Sequence, residues 1–222
     1  MRIGLSYRVA TLALLLGLAA CSRNDGPSSY FVAEEEPWRK DVELACLTSG
    51  AVQPNYFLAP QPELDGPKVC GALKPFEMTG AVGGLVELSP PALLRCPMVP
   101  AVEDWVRTSV LPAAERHFGQ QVDQLTVAAS YSCRPMNHRH GGQLSEHGYA
   151  NAIDISAFTL EDGRKVTLTG GWSGKADERA FLRDVRDGAC ESFTTVLSPD
   201  HDAAHANHFH FDLRQRRSVV CK

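Results

Sequence analysis

Apolar and polar positions along this chain alternate with two distinct rhythms, and the change from one to the other marks its elements. After Pro100, the residues Val102, Trp105, Val106 and Val110 recur at helical spacing, and the pattern continues to Phe118. A helix is expected there, kinked or restarted at Pro112. Residues 125–131 and 152–158 read as strands, and the turn signal Asp162-Gly163 leads into a further strand over 165–168. Residues 177–186 predict a second helix, capped by Asp177 and ended by Gly188. Residues 193–197 and 208–213 read as the last two strands. The order helix, strands, helix, strands predicts an α+β fold with a mainly antiparallel sheet and flanking helices.

Upstream the rhythm fades. Residues 41–95 hold many prolines and glycines with short apolar patches, so an irregular segment with short strands is expected. Residues 21–40 are dominated by polar, charged and turn-forming types and read as a flexible tether. The main domain is then 41–222, with a core from 96 onward. Residues 1–20 read as a targeting segment. Arg2 and Arg8 precede an apolar run from Val9 to Ala20, too short for a membrane span and of the length of a signal-peptide core. The run ends Leu18-Ala19-Ala20-Cys21, which resembles a bacterial lipobox and implies lipidation of Cys21. An ordinary signal peptide cleaved near Ala20 is the alternative. Ser22 after the cysteine points to the outer membrane among Gram-negative lipoproteins.

With 222 residues the chain allows one domain, or one with an extension. A hydrophobic content of 44% with 22% charged residues is ordinary for a globular protein. The net charge of −4 gives no case for nucleic acid as a partner. The sequence sets no oligomeric state. With Cys21 set aside, six cysteines remain: Cys46, Cys70, Cys96, Cys133, Cys190 and Cys221. An even number after an export signal fits disulfides, and none has the tight spacing of a thiolate zinc site. Cys46 with Cys70 is the favoured local pair.

Seven of the eight histidines lie between His138 and His210. Two segments stand out. In Ser145-Glu146-His147-Gly148-Tyr149-Ala150-Asn151-Ala152-Ile153-Asp154-Ile155, a carboxylate sits between two isoleucines of a strand, where it needs an ion-pair partner or a cation. In His205-Ala206-Asn207-His208-Phe209-His210-Phe211-Asp212, alternation puts the phenylalanines in the core and His208, His210 and Asp212 together on the other face. Two histidines and a carboxylate form a catalytic zinc set, with a fourth position left for water.

These residues carry a resemblance. Ser-x-His, a small residue, then Ala-x-Asp resembles the first metal motif of the D-alanyl-D-alanine peptidase superfamily, which shares its fold with lysostaphin-type enzymes and the hedgehog domain. His205, His208 and His210 are similar to a motif of penicillin-insensitive murein endopeptidase. Over roughly residues 45–221 the chain resembles the extensin-like C-terminal domain family of bacteria. The resemblance implies a disulfide-stapled hedgehog/DD-peptidase fold and a Zn2+ held by His147, Asp154 and His210. It implies His205 and His208 as catalytic histidines and Arg134 as the residue that holds the carbonyl oxygen or oxyanion. Two departures matter: Ala150 stands where related motifs have glycine, and Asn207-His208 replaces the glutamate common in carboxypeptidases. The general base is then expected to be His208 with His205 assisting, Glu146 and Asp202 being weaker candidates, and Asp212 to orient an imidazole. The expected activity is hydrolysis of peptide cross-links in peptidoglycan by an exported, membrane-anchored enzyme acting on stem peptides. The competing expectations are a D-Ala-D-Ala carboxypeptidase and a non-catalytic zinc-containing peptidoglycan-binding domain.

Overall fold

The structure, a computed structural model, describes residues 31–33 and 36–222. The targeting segment 1–20, Cys21 and the first part of the tether lie outside them. Helix and sheet are mixed around one main sheet of nine strands. These are β1 (Leu58–Pro60), β2 (Phe76–Ala81), β3 (Val86–Leu94), β4 (Val122–Ala129), β5 (Ala152–Leu160), β6 (Lys165–Thr167), β7 (Thr195–Leu197), β8 (Phe209–Asp212) and β9 (Val220–Cys221). The order across the sheet is β9-β7-β8-β5-β4-β3-β2-β1, with β6 paired to β5. Most neighbours are antiparallel; β3 with β4 and β7 with β9 are parallel.

Helices cover one face. Residues Met98–Trp105 (α1) run through a π-helical turn over Val106–Val110 into Leu111–Phe118 (α2). Pro112 sits in the first turn of α2, where a missing N–H costs least, so the expected restart occurs there. Helix α3 (Ala176–Ser192) buries Phe181, Leu182, Val185 and Ala189 on a single stripe. The indole of Trp105 lies 5.0 Å from the Phe211 ring and donates to the Val185 carbonyl at 3.0 Å, joining helix layer to sheet. Phe158, Phe193, Phe209 and Phe211 complete this apolar layer. Register irregularities between β4 and β5 carry Phe158 to the helix-covered side, where it meets Phe181 at 5.1 Å. The opposite face of β5 and β8 is left for polar groups.

Three expectations fail here. Gly188 does not end a helix; α3 runs through it to Ser192, with Asp177 in its first turn and Lys175 at the cap position. A Cβ on Gly188 would meet Ser109 Oγ at 2.1 Å, so the glycine permits close helix approach. Residues 41–95 are not irregular throughout, since β2 and β3 are full members of the main sheet. Pro90 and Pro91 lie in β3 where its register with β2 shifts, so no ladder bond is lost to them. The tether ends sooner than residue 40. Phe31–Val32 pairs with Gly142–Gln143, and a helix spans Pro37–Ser49, opened by a proline in its first turn and closed by Gly50 in the left-handed region.

The six cysteines form Cys46–Cys96, Cys70–Cys133 and Cys190–Cys221. The expected Cys46–Cys70 pair is therefore wrong. The bridges tie the Pro37–Ser49 helix to the start of α1, the segment before β2 to the loop after β4, and α3 to the last strand. Thiol titration of unfolded, unreduced protein should find less than one free thiol among these six. Replacing Cys46 and Cys96 by serine should cost about 2–5 kcal/mol in urea unfolding. Unchanged stability would show that this closure does not constrain the chain.

Candidate metal centre

β5 and β8 are neighbours, and their register sets His210 directly opposite Asp154. Alternation with Ile153, Ile155, Phe209 and Phe211 anchors the apolar sides, so both polar side chains leave the sheet on the open face. His147 comes from a short 3-10 turn, Glu146–Tyr149, capped by the Ser145 hydroxyl. Three donor atoms converge. His147 Nε2 lies 3.2 Å from Asp154 Oδ1 and 3.2 Å from His210 Nδ1, and His210 Nδ1 lies 2.9 Å from Asp154 Oδ1. All three residues are buried.

The other ring nitrogens fix the protonation. His147 Nδ1 donates to the Ser130 carbonyl at 2.5 Å, and His210 Nε2 donates to Asp212 Oδ2 at 3.0 Å. That leaves two imidazole lone pairs and a carboxylate oxygen facing one another, a contact that only a proton or a cation between them can hold. When no metal balances the two carboxylates, a proton does. Burial disfavours charge on His210, yet hydrogen bonds to Asp154 and Asp212 push its pKa up to about 10. The imidazoles of His147 and His210 keep Asp154 far below the usual carboxylate range against the opposing effect of burial. A nitrogen, nitrogen, oxygen set with each imidazole hydrogen-bonded behind fits a divalent metal such as zinc.

A cleft of about 710 Å³ opens over this triad, and His205, His208 and Arg134 also line it. All six residues expected at the site are thus brought to one place. His208 lies just before β8, with Nδ1 against Asn207 Oδ1 at 2.8 Å and Nε2 3.6 Å from Asp154 Oδ2. His205 is buried, and its Nδ1 is held by Asp202 Oδ1 at 2.6 Å. Burial lowers the pKa of both imidazoles, more than Asp202 and Asp154 raise them, so both are neutral bases at pH 7. Arg134 donates to the Pro135 carbonyl at 3.5 Å and pairs with no carboxylate among the described residues.

A family model described as extensin-like protein C-terminus matches residues 44–222. The chain belongs to the extensin-like C-terminal family. A curated relative, microcephalin of Macaca fascicularis, is 33% identical over 66 residues, 30% of this chain and 8% of that protein. The chain thus spans under a tenth of that relative's length, and the short stretch carries no argument. No solved structure matches.

In this extensin-like domain the two weaker base candidates have other employment. Glu146 turns away from the metal triad: Arg39 Nη1 and Nη2 grip its two oxygens at 2.6 and 2.7 Å, and Asn151 donates to it at 2.7 Å. Asp202 caps the turn Ala203–His205 by accepting from the Ala204 and His205 amides while it holds the His205 ring. Its spacing three residues before His205 was the available signal for that role. Ser130, which fixes His147 through a backbone carbonyl, carried no sequence signal.

Arg39 belongs to the Pro37–Ser49 helix, 107 residues from Glu146, and is buried. On the same helix Glu43 meets Arg95 at 2.7 Å. The helix therefore braces the back of the turn that carries His147. Arg39→Met would strand a buried carboxylate and should cost about 3–5 kcal/mol, read by denaturant unfolding. Adding Glu146→Gln should recover part of that loss. Equal stability of the single variant and the wild type would show that the brace contributes nothing.

Proposed function

We propose that this extensin-like domain is a zinc-dependent peptidase that hydrolyses the amide between D-alanine and diaminopimelate in peptidoglycan cross-links. The observation that carries the reading is the buried convergence of His147, Asp154 and His210 beneath a cleft that also presents two neutral imidazoles. The resemblance of both metal segments to the D-alanyl-D-alanine peptidase superfamily and to murein endopeptidase supports the substrate class. The signal-like residues 1–20 and Cys21 support export and lipidation, and Ser22 supports attachment to the outer membrane facing the periplasm.

His147 Nε2, Asp154 Oδ1 and His210 Nδ1 would hold the zinc, with Ser130 O and Asp212 fixing the imidazoles from behind. A zinc ion there supplies Lewis acidity and brings the pKa of a water down to about 7. Asn207 holds Nδ1 of His208, which leaves Nε2 beside Asp154 to take the proton from the attacking water. Asp202 holds the Nδ1 proton of His205, which leaves a lone pair at Nε2 to relay the proton taken up by His208 to the departing amine. Arg134, without a carboxylate partner among the described residues, steadies the negative charge that develops on the carbonyl oxygen. One water is consumed, the C–N bond breaks, and a carboxylate and an amine result.

The test is incubation of the purified chain with isolated sacculi, with and without a chelator. Soluble muropeptides whose cross-link has gained one water, abolished by chelation and restored by zinc, are expected. Release of single D-alanine would assign a carboxypeptidase instead. No release by zinc-loaded protein would leave a non-catalytic peptidoglycan-binding domain.

A further inference from the structure

Every carboxylate lining the cleft already has a partner. Glu146 is held by Arg39, Asp202 by His205, Asp212 by His210, and Asp154 by the metal-site imidazoles. The guanidinium groups are not matched in this way. Arg134, Arg139, Arg214 and Arg216 all line the cleft. Only Arg214 approaches a carboxylate, Glu146 at 3.8 Å, and among the described residues Arg134, Arg139 and Arg216 pair with none. Guanidinium groups without a carboxylate partner thus collect at one cleft, in a chain whose formal net charge is −4. Such a cleft draws an anionic ligand.

Arg216 is the group with a built position. Its Nε donates to Thr195 Oγ1 at 2.8 Å, and Thr195 is buried. Thr195 stands directly opposite Asp212 in the β7–β8 register, and Asp212 in turn accepts from His210. The guanidinium is therefore pinned two side chains away from a candidate metal ligand. With Nε occupied, the two terminal nitrogens remain, the pair that grips a carboxylate in a planar fork.

We infer that Arg216 reads a substrate carboxylate close to the scissile amide, so the preferred peptide carries a free acid at that place. Diaminopimelate, with an acid at each end, has this chemistry. The inference rests on the peptidase reading and names the feature of the substrate that the cleft selects.

The experiment compares two cross-linked stem-peptide dimers. One has free carboxylates on the diaminopimelate residues flanking the scissile bond; the other has them as carboxamides. Zinc-loaded wild type should cleave the free acid with a kcat/KM at least about tenfold higher, the scale of one charge-assisted fork. Arg216→Gln should erase most of that preference through KM while zinc content stays the same, and Arg216→Lys should restore part of it. Cleavage by Arg216→Gln with the full preference intact would overturn the inference and leave the peptidase reading standing. If zinc-loaded wild type cleaves neither dimer, the peptidase reading fails, and calorimetric binding of both dimers decides the inference alone. Tighter binding of the free acid by wild type but not by Arg216→Gln upholds it. Equal binding of the two dimers by wild type ends it.

Discussion

His210→Ala should strip the protein of zinc and of hydrolysis together. The imidazole is one of three convergent donors, and its loss leaves Asp154 and Asp212 facing a buried gap with no positive group between them. Purified wild type should carry about one zinc per chain, as a three-ligand catalytic site implies. The variant should retain little after dialysis, a drop well beyond the roughly 10- to 100-fold affinity loss that follows removal of a hydrogen-bond partner such as Asp212. His147→Ala and Asp154→Ala should behave alike. Elemental analysis and the sacculus assay read the two outcomes, and circular dichroism checks that the fold persists. Full zinc content in all three variants would sink the ligand set.

His208→Ala makes the contrasting case, from a residue two positions away. Its Nε2 faces Asp154 Oδ2 at 3.6 Å rather than the point on which the three donors converge. Zinc should stay, while turnover falls by about 100- to 10,000-fold, the usual cost of losing a general acid or base. KM should change little. A variant that loses its zinc would make His208 a ligand. One that keeps zinc and full turnover would pass the base to His205, since Glu146 and Asp202 are both engaged in holding other groups.

Asp154 and His210 of the candidate triad were legible because two strands alternate so cleanly, whereas His147, in a turn, rested on the family resemblance. Isoleucines around Asp154 and phenylalanines around His210 leave one possible face for each polar side chain, and pairing of the strands does the rest. What stayed hidden is non-local. The Pro37–Ser49 helix has only a weak apolar stripe, and it holds to the domain through Arg39, Glu43 and Cys46, whose partners lie 107, 52 and 50 residues away. Nothing near those residues in the sequence announces them. The cysteine pairing failed for the same reason: a short separation looks favourable for loop closure, but strand order decides which sulfurs meet. Gly188 was misread because a glycine that stops a helix and one that admits a neighbouring helix look identical in a single sequence.

The family match opens at residue 44, inside the Pro37–Ser49 helix. A fragment cut there would keep Cys46 and every cleft residue, yet discard Arg39 and Glu43. Glu146 and Arg95 would then be left as buried, opposite charges without their mates, one of them next to His147 in the chain. The unit that must travel intact through recombination or cloning therefore begins upstream of the recognisable homology, at or before Glu36, whose carboxylate also binds Arg39. The folding unit of this protein thus starts before the segment that matches its family.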